Sequence, residues 1–248
     1  GLFIFPLSGL SFLNILYSTY FDYFLSIDSY TATFFVTLVT GSFFCYYGKN
    51  SIKKINFYEQ LLLIILVYVI SSIFIALPYY LSNYQITFFD SVFESFSGIT
   101  STGFSIFENI KYLDPTLILW RSSSQWIGGL YFLIFLIIIF SNNQYNFRLN
   151  HLVFTGNMGP FSKSNTKNIL LQIFLVYSLL TLLILIIFNI GNVRLFNSLN
   201  LSMTIISNGG FLPTNSLDQI FLKDNRYILA ITLLIPTINI FFLFNFFN

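Results

Sequence analysis

Thr87 to Phe104 reads T-F-F-D-S-V-F-E-S-F-S-G-I-T-S-T-G-F. Its first eleven residues, to Ser97, suit a short helix of about 16 Å, roughly half of what a bilayer crossing needs. Thr87 with Asp90 three positions on resembles a capping box, Asp standing in for Glu or Gln. Gly98 is expected to end that helix, and a polar run closing on Gly103-Phe104 follows. On either side lie Phe57–Leu81 and Pro115–Phe140, each long and apolar enough to span a membrane. Polar, non-helical backbone is tolerated at that depth only where it lines a water- or ion-filled path. The stretch reads as a re-entrant pore helix followed by a selectivity filter.

Composition agrees. Of 248 residues, 56% are hydrophobic and only 8% charged, against roughly 25% charged in an average soluble domain. The net charge of +2 is too small to point to nucleic acid, so the lipid bilayer is the expected surroundings. Cys45 is the single cysteine, which excludes an intramolecular disulfide and a cysteine-based metal site. Residues 1 to 21 lack the basic start of a signal peptide and count as a span.

The fold class expected is an all-α integral membrane protein of about six transmembrane helices plus two re-entrant pore half-helices, in two parallel span–pore loop–span repeats. The spans are Leu2–Tyr20 (bent near Pro6 and Ser8–Gly9), Tyr30–Tyr47, Phe57–Leu81, Pro115–Phe140, Ile169–Ile190 and Tyr227 to about Phe247. As domains, 1–56 holds two extra N-terminal helices and 57–140 the first pore repeat. Residues 141–168 form a cytoplasmic linker, and 169–248 a second pore repeat cut short. Lys49, Lys53 and Lys54 in one loop, and Arg148, Lys163 and Lys167 in another, have no acidic neighbours. These loops are expected in the cytoplasm, so both half-helices enter from outside.

The second half-helix, Leu195–Ile206, ends in S-N-G-G-F. Laying 86–104 on 193–211 matches Phe89, Ser91, Ser95, Gly103 and Phe104 with Phe196, Ser198, Ser202, Gly210 and Phe211, and Asp90 with Asn197. L-V-Y at 66–68 meets L-V-Y at 175–177. Each half-helix would aim the negative end of its dipole at the membrane midplane, favouring a cation. The glycine loops would then offer backbone carbonyls in place of the ion's hydration shell.

Asp90 and Asn197 read as caps rather than ion ligands. Glu94, an intramembrane acid, reads as a buried hydrogen-bond partner of filter backbone. Arg121 and Gln125, one turn apart, read as interfacial anchoring and packing behind the filter rather than substrate contact, Trp120 and Trp126 as interface aromatics, and Gly128–Gly129 as a close helix contact. Asn239 suits either a cavity lining or a helix–helix hydrogen bond. His151, the only histidine, has no ligand cluster around it. No nucleophile–base pair or phosphate loop offers a catalytic site, so no enzyme and no cofactor is expected.

With these motifs in hand, the chain resembles a known family. The run at 88–104 with L-W-R-S-S-S-Q-W-I-G-G at 119–129 looks like the first pore repeat of Trk-type potassium uptake transporters (TrkH, in the Trk/Ktr/HKT superfamily). N-M-G-P-F-S-K at 157–163 and I-I-S-N-G-G-F at 205–211 resemble that family's linker and second repeat. The two extra spans at the start favour the Trk branch. The resemblance implies K+ as the transported ion, bound by carbonyls from Thr100, Ser101, Thr102 and Gly103 and from Ser207, Asn208, Gly209 and Gly210. In plant relatives a serine at the first filter glycine goes with sodium permeation, so Gly103 points to potassium.

The resemblance further implies a multi-pass protein of a bacterial-type cytoplasmic membrane, a homodimer, and a cytosolic nucleotide-binding regulatory ring of the TrkA type docked on the basic loops. Uptake would be channel-like or a symport with H+ or Na+. The family has two further repeats, with a gating loop in the third and a pore-facing arginine in the fourth, so the expectation is a fragment of a longer protein. The alternatives are a half-transporter that must dimerise and a non-conducting structural or assembly subunit.

Overall fold

The computed structural model describes residues 1–23, 26–49, 56–140, 166–221 and 226–237. Helices α1 (Phe5–Tyr20) and α2 (Ile27–Gly48) form an antiparallel hairpin. Pro6 does not bend α1. It sits in the first turn, where its missing N–H leaves nothing unpaired. The hairpin hides polar residues and shows apolar ones. Ser11, Asn14, Ser29, Thr33 and Thr37 are buried, whereas Phe12, Leu16, Phe35, Val39 and Phe43 face outward. Thr33 Oγ1 donates to the Ser29 carbonyl at 2.7 Å and Thr37 Oγ1 to the Thr33 carbonyl at 2.7 Å, so the hidden hydroxyls are satisfied within the helix. Such an inverted pattern suits lipid surroundings, where small and hydroxyl residues bring helices together.

Helix α3 (Phe57–Tyr80) starts at a reciprocal box in which the Asn56 backbone N–H donates to Glu59 Oε2 at 2.9 Å. Then come α4 (Phe88–Ile99), α5 (Pro115–Phe140), α6 (Thr166–Ile190), α7 (Leu195–Ile206) and α8 (Arg226–Leu234), which a 3-10 turn at Ile235–Thr237 continues. Among the described residues, the helices at Phe57–Tyr80, Pro115–Ile139 and Leu170–Ile190 are long and apolar enough to cross a membrane. Helix α1 has 16 residues and α2 has 22. The inward-facing serines and threonines lower the apolarity of α2. Helix α4 packs between α3 and α5, and α7 between α5 and α6, so α5 touches both half-helices.

The repeat shows in the length, ends and turn geometry of the two half-helices. Helices α4 and α7 have 12 residues each, and a shift of 107 positions superposes their ends. Gln85 and Asn192, matched residues ahead of each half-helix, have φ of 54° and 58°. Ser101 and Asn208, matched residues after it, have φ of 54° and 53°. Asparagine tolerates that left-handed region better than most residues, and glutamine and serine have no such ease. The Ser91 hydroxyl donates to the Thr87 carbonyl at 2.9 Å and the Ser198 hydroxyl to the Arg194 carbonyl at 3.1 Å.

Several sequence expectations are corrected. Gly98 lies inside α4, which runs on to Ile99 with Thr100 as its C-cap. Its lack of a side chain serves packing, because a Cβ there would run into Ser124 Oγ of α5. Trp120 is buried, its indole N–H donating to the Ile75 carbonyl at 3.1 Å, and half-buried Trp126 donates to Thr181 Oγ1 at 3.0 Å. Both indoles tie helices together inside the protein. Asn197 is not a cap either. Arg194 holds that position in α7 and makes no side-chain capping bond. The linker 141–165 with Arg148, His151 and Lys163, the residues Lys53 and Lys54, and Asn239 with the end of the sixth span lie outside the described residues.

Candidate functional site

Thr87 caps α4, but the capping box expected of the sequence is only half formed, because the Asp90 carboxylate takes the Thr87 hydroxyl rather than its backbone N–H. Thr87 Oγ1 accepts the Asp90 N–H at 3.2 Å and donates to Asp90 Oδ2 at 2.6 Å. At the other end the chain folds back over the last turn. The N–H groups of Ser101 and Thr102 donate to the carbonyls of Gly98 at 2.9 Å and Ser97 at 3.0 Å. In the second repeat Asn208 and Gly209 donate to Ile205 at 2.9 Å and Thr204 at 2.7 Å. Thr100 Oγ1 donates to the Phe96 carbonyl at 2.6 Å, and Ser207 Oγ to that of Met203 at 3.1 Å. Thr100 and Thr102 are exposed, with hydroxyl oxygens 2.7 Å apart.

The two loops meet at their glycines. A Cβ on Gly103, whose φ is +85°, would stand 2.6 Å from Gly210 Cα, and one on Gly210 would stand 3.2 Å from Gly103 Cα. Gly103 therefore needs glycine for its backbone and for space, whereas Gly210 needs it for space alone. All eight expected filter residues thus belong to two adjoining loops that share a left-handed residue at 101 and 208 and differ at their glycines, where Gly103 has a positive φ and Gly210 does not.

Helix α5 is the wall behind both. A Cβ on Gly128 would run into the Ile99 carbonyl at the end of α4, and one on Gly129 would come within 2.9 Å of Ser207 Cβ. Gln125 is fully buried, and its Oε1 accepts the Phe211 N–H at 3.2 Å. A Cβ on Gly209 would strike that same amide.

One turn earlier in α5, Arg121 forms an ion pair with Glu94 at 2.8 Å, with side chains only 1% and 0% exposed. Glu94 also accepts from Ser105 Oγ at 3.1 Å and from the Ile106 N–H at 2.9 Å. The arginine donates from Nη2 to Ser105 Oγ at 2.9 Å and from Nη1 to the Leu212 carbonyl at 3.4 Å. Its guanidinium lies 4.3 Å from the ring centre of Phe211 and 5.4 Å from that of Phe107. Glu94 is a buried hydrogen-bond partner, but of Ile106 backbone beyond the expected filter residues and of Arg121 rather than of the filter itself, whereas Arg121 and Gln125 do pack behind the loops.

Sequence reasoning missed Asn215. Its Oδ1 accepts the Ile110 N–H at 2.7 Å and its Nδ2 donates to Asn109 Oδ1 at 3.2 Å, which joins the loops that follow the two half-helices. No local pattern marks such a residue, because its partners lie more than a hundred positions away. The repeats also differ at the matched phenylalanines. Phe211 is 1% exposed beneath Arg121, and Phe104 is 69% exposed.

No family model matches the chain. It is 28% identical over 193 residues to an uncharacterized cation transporter of Methanocaldococcus jannaschii, covering 74% of this chain and 39% of that one. To the Trk system potassium uptake protein TrkH of Salmonella typhimurium it is 25% identical over 190 residues, covering 74% and 38%. With TrkI of Halomonas elongata identity is 30% over 160 residues, covering 64% and 32%. The chain thus spans less than two fifths of the length of these curated relatives. The crystal structure of the potassium transporter TrkH from Vibrio parahaemolyticus superposes with a TM-score of 0.69 at 22% identity, over 94% of this chain and 47% of that one. In sequence the chain is thus similar to the N-terminal part of Trk-type potassium uptake proteins, and in fold to the N-terminal half of a TrkH structure.

Proposed function

We propose that the chain supplies two adjoining strands of a potassium selectivity filter, and that the complete protein carries K+ into the cell. The observation that carries this is the pair of loops, alike in their turn hydrogen bonds and in the left-handed residues at 101 and 208, that touch at Gly103 and Gly210. Contact at the glycines leaves no room for an ion between them, so the two strands are neighbours on the wall of a pore. In this reading carbonyls of Thr100, Ser101, Thr102 and Gly103 and of Ser207, Asn208, Gly209 and Gly210 replace the ion's water shell. The C-terminal ends of α4 and α7 add negative dipole ends near the cation. The names of the relatives, all cation transporters or potassium uptake proteins, support the same ion class.

The reading places the protein in a bacterial-type cytoplasmic membrane, with 57–140 and 169–248 as its two pore repeats. Homodimers and a TrkA-type ring on the basic cytoplasmic loops complete the assembly. A non-conducting scaffold is the weaker reading, because it gives no reason for two loops to keep matched left-handed residues at 101 and 208. The deciding experiment replaces Gly103 by Ser in the complete protein, in a strain lacking its own K+ uptake systems. Preference for K+ over Na+ should fall, and unchanged selectivity would remove the filter assignment.

A further inference from the structure

We propose that Arg121 is a positioning residue that fixes the spacing between the two filter strands, with Glu94 as its counter-charge. This rests on the filter reading above. The guanidinium has donors in a rigid planar fork, and here each goes to a different part of the molecule. Nε meets Glu94 on α4, Nη2 meets Ser105 beyond the first strand, and Nη1 meets the Leu212 carbonyl beyond the second. The Phe211 ring, next to Gly210, closes one face of the fork. Both strands are thus tied, just past their central glycines, to one side chain on one helix.

Packing alone does not account for this. A buried charge pair is costly to desolvate, and apolar residues of similar volume often serve stability as well or better. The pair does what an apolar filler cannot, because it holds two backbones at a set distance through directional bonds. Lysine, a single point charge, could not reach the same three acceptors. Since an ion's coordination depends on where the carbonyls stand, a loosened spacing should act on discrimination between ions before it acts on folding.

The test uses the complete protein in a strain without K+ uptake systems, reading membrane abundance, the apparent KM for K+, and inhibition by Na+. In E94Q/R121M both charges are removed and the bulk is kept. The variant should reach wild-type abundance, while its preference for K+ over Na+ falls by roughly tenfold, as expected for a misplaced ligand set. R121K, which keeps the charge and loses the fork, should lie in between. Wild-type preference in both variants overturns the proposal. Should E94Q/R121M be absent from the membrane, R121K decides: unchanged preference overturns the proposal, and lowered preference at normal abundance supports it. G103S run alongside separates the two ideas. If it shifts selectivity while the Arg121 variants do not, the brace fails and the filter reading stands. If G103S itself has no effect, the filter reading fails first.

Discussion

Among single residues, the two half-helices differ most at their first turns. Thr87 satisfies an N–H of α4, and at the matched position Arg194 leaves α7 without a side-chain cap. Removing the hydroxyl in Thr87→Ala should cost about 1 kcal/mol, and Arg194→Ser should gain somewhat less. Thermal unfolding of the purified protein at a fixed scan rate would show the midpoints moving in opposite directions. Glu94 is a harsher case. Glu94→Gln leaves the Arg121 charge buried without its partner, a loss of about 3–5 kcal/mol when one member of a buried pair is removed. The single variant should therefore be much scarcer in membranes than the neutral double variant, which immunoblotting can compare.

At the scale of elements, α5 is the common support, and its glycines set how closely the half-helices approach. Gly128 faces main chain, the Ile99 carbonyl, whereas Gly98 of α4 faces the rotatable Ser124 hydroxyl. Gly128→Ala should thus cost about 1–3 kcal/mol through overpacking, and Gly98→Ala clearly less, because a hydroxyl can swing away and a helix end cannot. Unfolding midpoints for the pair would reveal a wrong order. The existence of both half-helices was legible because an apolar stretch of 12 residues closed by a polar glycine run is too short to cross. The role of Gly98 was not, because glycine as terminator and glycine as contact surface look alike until the neighbouring helix is known. Trp120 misled for a similar reason. An indole suits a membrane interface, but here a carbonyl of α3 within reach draws it inside. Glu94 and Arg121 stood out singly, as charges in apolar surroundings. Their pairing across 27 positions needed the packing of α4 on α5.

For the whole molecule, the orientation read from the basic loops gives a direct prediction. In a Cys45→Ala background, Glu108→Cys should react with a membrane-impermeant maleimide on intact cells, and Lys49→Cys only after permeabilisation. Both positions are exposed, so the opposite pattern would invert the topology. The molecule also has a direction along its own chain. Helix α5 of the first repeat covers Phe211 of the second, and among the described residues Phe104 has no comparable cover. During synthesis that difference becomes one of timing. When Phe211 leaves the ribosome its roof is already built, so the second loop can settle on arrival. Phe104 emerges first and stays exposed, so the contact of Gly103 with Gly210 can form only once the second loop has been made.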